Sequence, residues 1–385
     1  MPKFRFKFKY KILMAIFLGV LLTSLWPFNI YLLVLFSLLT YIFLPISKYW
    51  DVTTITLLLF SVFYSLMAVL TSQYGSGFIL LSYLLAPVAF YRLGKWMMSQ
   101  FVEETIRLKL LICIIACYLL SLFVLTFKDI ALVGIVNLSR EMVGDQNDTN
   151  SLAATLYGLM ASVGIGCIAA LFTKGQNFAL RIGYVILSLL SVLVVIHLIN
   201  RTGIVVFVCS LIVSVVISTK LNIFKSLPFL ILVGFITFLV VNADGGIVGE
   251  MVEAYQQREM SSTHDATQLG GRSAIWADAL SKLLTHPLGW ERTHYAHNLW
   301  LDIARVAGWF SLLLFFIPTI NWCRDCLCIV RKNATPFILL MISINLSMFL
   351  ASFVEPVIDG SILFFALFMM IWGVTASLSK EKEFK

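Results

Sequence analysis

Charge is what this chain has least of. Only 12% of its 385 residues are Asp, Glu, Lys or Arg, about half the share of an ordinary soluble domain. That scarcity excludes a soluble globular protein. The chain also lacks a G-x4-G-K-[ST] loop, a G-x-S-x-G elbow and an H-E-x2-H pair. Nucleotide-driven transport, serine hydrolysis and zinc proteolysis are therefore without their motifs. Sequence repeats, low-complexity tracts and a long central loop between duplicated halves are missing too, which argues against a twelve-span facilitator transporter. Cysteine is absent from every loop expected outside. Cys113, Cys117, Cys167 and Cys209 lie in apolar runs, and Cys323, Cys326 and Cys328 sit at a helix end expected in the cytoplasm. No structural disulfide is expected. The C-x2-C-x-C cluster has no second ligand pair to hold a metal, and helix-end thiols, palmitoylated in a eukaryotic setting, are the plainer reading.

What is present is apolar. Hydrophobic residues make up 60% of the chain, aromatics 14%, and the mean hydropathy is +0.94. A spanning helix needs about 20 mostly apolar residues. The apolar runs here are continuous rather than alternating, so helices and not a β-barrel are predicted. The expected fold is an all-α polytopic membrane protein. Twelve spans are readable, near 12–27, 30–46, 53–70, 78–92, 108–127, 151–172, 182–199, 202–218, 228–242, 297–320, 336–354 and 362–378. Pro45, Pro87 and Pro228 predict tilted or broken second, fourth and ninth spans. The basic N-terminal segment and first apolar run imitate a signal peptide, but without an obvious cleavage site they read as an anchor.

Lys and Arg set the expected orientation. With both termini in the cytoplasm, 20 of the 28 fall inside and 8 outside. Topology thus accounts for the net charge of +8 and gives no reason to invoke nucleic acid. The linear division is residues 1–241, an N-terminal bundle of about nine helices; 242–296, a large outer loop; and 297–385, three C-terminal helices.

The large loop carries two predicted amphipathic helices. In 247–260, Ile247, Met251 and Tyr255 recur at helical spacing. In 272–285, Ile275, Trp276, Ala279, Leu280, Leu283 and Leu284 form one stripe, with Arg272, Asp278 and Lys282 off it. Gly270 and Gly271 precede the second helix, and Pro287 and Gly289 end it. Such helices lie on a membrane surface over a cavity, or serve only as docking helices.

Ionisable groups at a membrane surface are functional candidates by default. His297 and Asn298 open the tenth span, and an imidazole there suits general-base work. Asp302 and Arg305 share the Asn298 face, either as part of a site or as a pair that holds helices together. Arg201 lies in a tight outer turn, against the positive-inside trend. Its planar fork suits a phosphate, the alternative being an Arg that snorkels to headgroups. Arg258 and Arg272 are further anion-binding candidates. Arg292, His264, His286 and His294 read as solvated loop residues. Asp145, Asn147, Asp148 and Asn150 offer oxygens to a cation, but they also form a helix N-cap series, which is preferred.

Taken together, the motifs resemble the O-antigen ligase/polymerase superfamily of bacterial inner membranes. The residues are Arg201-Thr202-Gly203, then Gly271, Arg272 and Trp276, then His286-Pro287 with Gly289, then His297-Asn298 with Leu301 and Gly308. Asp148-Thr149-Asn150 resembles the family's D-P-N signature, with Thr149 where Pro is usual. The likeness is concentrated in 145–310. It implies glycosyl transfer from undecaprenyl-diphosphate-linked oligosaccharide at the periplasmic face, without cofactor or metal. His297 would activate the acceptor hydroxyl, and Arg201 and Arg272, with Arg258 as a weaker carry-over, would hold the diphosphate. Asn298 and Asn150 would contribute to substrate binding. The implied partners are an acceptor glycolipid, membrane lipids, and chain-length regulator and flippase proteins. Polymerase is the leading expectation, since polymerases are the more numerous branch. A ligase acting on lipid A-core is the alternative, and a polysaccharide flippase or an assembly scaffold stands further off. Two motif details depart from the family: Ser311 stands at the last position of the ligase pattern, and Gly270 lies one residue too far from Arg258 for the polymerase spacing.

Overall fold

The computed structural model describes residues 8–23, 28–45, 49–71, 77–134, 138, 153–172, 178–218, 249–250, 252–254, 256–257, 272–290, 295–332 and 335–381. Among them all regular structure is helical. In chain order the helices are α1 (Phe8–Leu22), α2 (Asn29–Phe43), α3 (Val52–Leu70), α4 (Gly77–Gln100), α5 (Glu104–Val133), α6 (Ala153–Ile165) continued by a 3-10 turn (Gly166–Phe172), α7 (Phe178–His197), α8 (Arg201–Ser218), α9 (Arg272–Thr285), α10 (Leu299–Val330), α11 (Pro336–Val354), α12 (Val357–Gly360) and α13 (Ile362–Lys380). Eight of these, α3, α4, α5, α7, α8, α10, α11 and α13, are long and apolar enough to cross a membrane. The first, second and sixth expected spans are helical but shorter. The ninth, 228–242, lies outside the described residues.

The chain forms two compact units that interleave along the sequence. One comprises 1–121, 276–333 and 355–385; the other comprises 122–275 and 334–354.

In the first unit α4 packs against α13, α3 and α2, and α10 packs against α3. Glycines let α4 and α13 touch: a Cβ on Gly94 would lie 2.1 Å from the Met370 carbonyl, and one on Gly373 2.0 Å from that of Tyr91. Close backbone approach of this kind replaces the hydrophobic drive that lipid cannot supply. Along α3, Val52, Ile55, Leu59, Val62, Leu66 and Val69 are exposed at alternating three- and four-residue spacing. The opposite face buries Leu57, Phe60 and Tyr64. A continuous apolar stripe on an outer helix face is how a helix meets lipid.

The fourth and tenth predicted spans end well short of the observed helices. Helix α4 runs unbroken through Pro87 to Gln100, well past residue 92. Hydropathy ended the span at the first charges, yet Arg92 and Lys95 are buried against protein rather than exposed. Helix α10 extends to Val330 and is broken at Ala307 and Gly308, where φ is −130° and 71°. Its exposed apolar side chains begin at Trp309 and Phe310. The segment from Trp309 to Val330, about 33 Å at 1.5 Å per residue, matches the hydrocarbon thickness. The preceding two turns are buried in protein.

In the second unit α11 packs on α8, on α6 and on the 3-10 turn, and α6 packs on α7.

Candidate functional site

His297 sits immediately before α10 in the first unit, half-buried, with a left-handed backbone at φ 51°. That region is unfavourable for a residue with a Cβ. Asp302 enforces it. Its carboxylate accepts from the Ala296 amide at 2.7 Å and the Asn298 amide at 3.3 Å, the two amides that flank His297. Asn298 caps the helix, with Oδ1 accepting from the amides of Trp300 and Leu301 at 3.1 and 3.2 Å. Trp276, on α9, donates its indole N–H to the Ala296 carbonyl at 2.9 Å. The ring of Tyr295 stands edge-on to the imidazole, 6.4 Å between centroids.

Beneath the imidazole lies a buried charge network. Arg305 Nε donates to Asp302 Oδ1 at 3.2 Å, and its Nη2 donates to Asp359 Oδ2. The three side chains are 0–6% exposed. Arg305 also stacks 5.5 Å from the Tyr295 ring centroid. The Tyr64 hydroxyl donates to Asp359 at 3.4 Å, and Tyr83 donates to the adjacent Ile358 carbonyl at 2.7 Å. Two acidic side chains thus share one guanidinium. Burial, then the Asp359 carboxylate, raises the Tyr295 phenol above its ordinary value. Tyr295 is therefore a neutral hydroxyl at physiological pH.

The two glycine motifs have a common cause. Trp290 N–H donates to the Arg305 carbonyl at 3.0 Å, and Trp309 N–H donates to the Pro287 carbonyl at 3.2 Å. The His286-Pro287-Leu288-Gly289 turn thus docks into the break of α10. Gly289 and Gly308 both have positive φ, 103° and 71°. A Cβ on Gly308 would lie 1.9 Å from the Pro287 oxygen. His286 itself is exposed.

In the second unit Arg201 is the first residue of α8 and is half-buried. Helix dipole and leading amides favour anions there. The turn that presents it is tightly held. Asn200 accepts from the Gly203 amide at 2.9 Å and donates to the Ala154 carbonyl at 2.7 Å. Ile199 has φ 48°, and His197 Nε2 is hydrogen-bonded to Asp129 Oδ2 at 2.7 Å, both side chains 1% exposed. Arg272 opens α9, half-buried. Arg258 and Asn150 lie outside the described residues, as do Asp145, Asn147, Asp148, His264, Arg292 and His294.

Of the sequence candidates, His297, Asn298, Asp302 and Arg305 come together. Arg201 and Arg272 belong to the other unit. The Asp302–Arg305 pair does hold structure together, and it does so at the helix end that follows His297. Asp359 was missed, although the Glu355-Pro356-Val357-Ile358-Asp359 turn puts two carboxylates between apolar helices. His197, inside the seventh predicted span, and Asp129, just beyond the fifth, were not singled out from the sequence. Among the described residues no cluster of His, Cys, Asp and Glu suits a metal ion. No protein-family model matches the chain, and no curated protein matches its sequence.

Proposed function

We propose that this chain is a bacterial inner-membrane glycosyltransferase that uses undecaprenyl-diphosphate-linked glycan at the periplasmic face, and that it acts as an O-antigen or surface-polysaccharide polymerase. The observation that carries the proposal is the clamp on His297: a half-buried imidazole at a helix mouth, fixed in an unfavourable backbone region by a buried carboxylate. Strain retained by such over-determined surroundings clusters at active sites.

In this reading His297 takes the proton of the acceptor hydroxyl as that oxygen attacks the anomeric carbon. The bond to the diphosphate breaks, and the lipid diphosphate leaves with its electron pair. The Asp302–Arg305–Asp359 network holds the helix end that presents the imidazole. Arg201, Arg272 and Arg258 have the role of neutralising the leaving group only through the family resemblance of their motifs. Asn298 holds the helix end that carries the base. The twelve-span, both-termini-inside topology belongs to this proposal, as do lipid acceptor, chain-length regulator and flippase as partners.

The test is His297→Ala in a strain lacking the native gene. Long-chain surface glycan disappears while protein level and melting temperature stay unchanged. Full-length glycan in the variant would overturn the base assignment. The same gel separates the two transferases. Loss of a polymerase leaves lipid A-core with a single unit; loss of a ligase leaves it bare.

A further inference from the structure

At the other end of the first unit, away from His297, Arg92 is fully buried, 0% exposed. It lies on α4 nine residues beyond Tyr83, about 14 Å of helix. Its guanidinium sits against two rings, 5.5 Å from the Tyr41 centroid and 5.9 Å from that of Trp50. One nitrogen, Nη2, donates to the Leu44 carbonyl at 2.8 Å. The other two, Nε and Nη1, have no acceptor among the described residues. The same holds for the Tyr41 hydroxyl and the Trp50 indole N–H, both buried atoms. No carboxylate among the described residues pairs with Arg92. Asp51, one residue beyond Trp50, is taken by Lys95 at 2.7 Å.

Four buried donor groups beside a full positive charge thus have no acceptor among the described residues. Buried donors left unmet are costly, and a buried charge more so. Stacking on aromatic faces offsets part of the charge but none of the missing acceptors. The complementary ligand carries negative charge and several acceptor oxygens in a compact head. Nε and Nη1 lie on different guanidinium edges, so a phosphate would meet either of them beside the second N–H of Nη2, with the phenol and indole adding single donors.

We infer that Arg92, Tyr41 and Trp50 form an oxyanion site for a phosphate group, supplied by a phospholipid headgroup or by a free phosphate. The site is independent of the glycosyl-transfer reading, since neither His297 nor any proposed diphosphate ligand belongs to it.

The test uses the full chain purified in detergent. Native mass spectrometry reads retained phospholipid per chain, and the delipidated protein is titrated with inorganic phosphate while melting temperature and tryptophan fluorescence are followed. A lipid source gives retained phospholipid and little response to inorganic phosphate; a free-anion source gives the reverse. Arg92→Gln lowers occupancy or affinity at least about tenfold, the loss of a charge-assisted contact. Should that variant not fold, the double variant Tyr41→Phe, Trp50→Phe keeps the charge and the stacking and removes two donors. It weakens binding roughly tenfold, about 1.4 kcal/mol. The inference is overturned if the wild type neither retains phospholipid nor responds to phosphate, or if every variant that folds binds as the wild type does.

Discussion

The backbone of His297 costs on the order of 1–3 kcal/mol where it stands. Asp302 offsets this by tying both neighbouring amides. Asp302→Ala releases the clamp and leaves Arg305 with Asp359 alone; about 3 kcal/mol of stability is lost, as for other broken buried pairs. Arg305→Met is expected to be at least as damaging, because two buried carboxylates would then face each other uncompensated. Both are measured by thermal melting in detergent. Asn298→Ala removes one cap, about 1 kcal/mol, and Asn298→Asp restores most of it. The residues of this site were partly legible. His297, Asn298, Asp302 and Arg305 share one helix end, and helical spacing places them. Asp359 comes from a turn some fifty residues on, and no local pattern announces which turn will close on which helix.

Helices show the same division between local and distant causes. Helix α9 was readable to its ends, because Gly271 before it and Pro287 after it are local signals. Helix α4 was not, since charges end a hydropathic run unless partners elsewhere bury them. The break in α10 was equally hidden, although Gly308 stood in plain view as a motif residue. Gly308→Ala puts a methyl against the Pro287 carbonyl at a positive φ, so a loss of at least about 2 kcal/mol is expected. The melting temperature checks it. At the start of α3, burial disfavours the charge on Asp51, but Lys95 and the Thr54 amide outweigh it and hold the carboxyl below its ordinary range. The stability it contributes is complete above about pH 4 and falls away as the pH drops through the lowered value. Asp51→Asn therefore flattens the acid side of a melting-temperature profile.

At the scale of the molecule, composition alone indicates the membrane, and eight sufficiently long apolar helices agree with it. What composition cannot give is the interleaving of the two units, which depends on contacts far apart in sequence. The expected topology is checked by reporter fusions. A fusion after Lys332 is active only as a cytoplasmic reporter, and one after Thr285 only as a periplasmic one. The opposite pattern would remove His297 from the outer face and end the proposed chemistry.

The groups that pin His297 lie within its own vicinity: Ala296, Asn298 and Asp302, with the Trp276 indole bracing Ala296. Asp302 is in turn tied through Arg305 to Asp359 from a distant turn, so the aim of the imidazole depends on contacts both near and far in sequence. Under the proposed glycosyl transfer, a lineage that keeps these groups could exchange the segments that recognise sugars without re-aiming the imidazole.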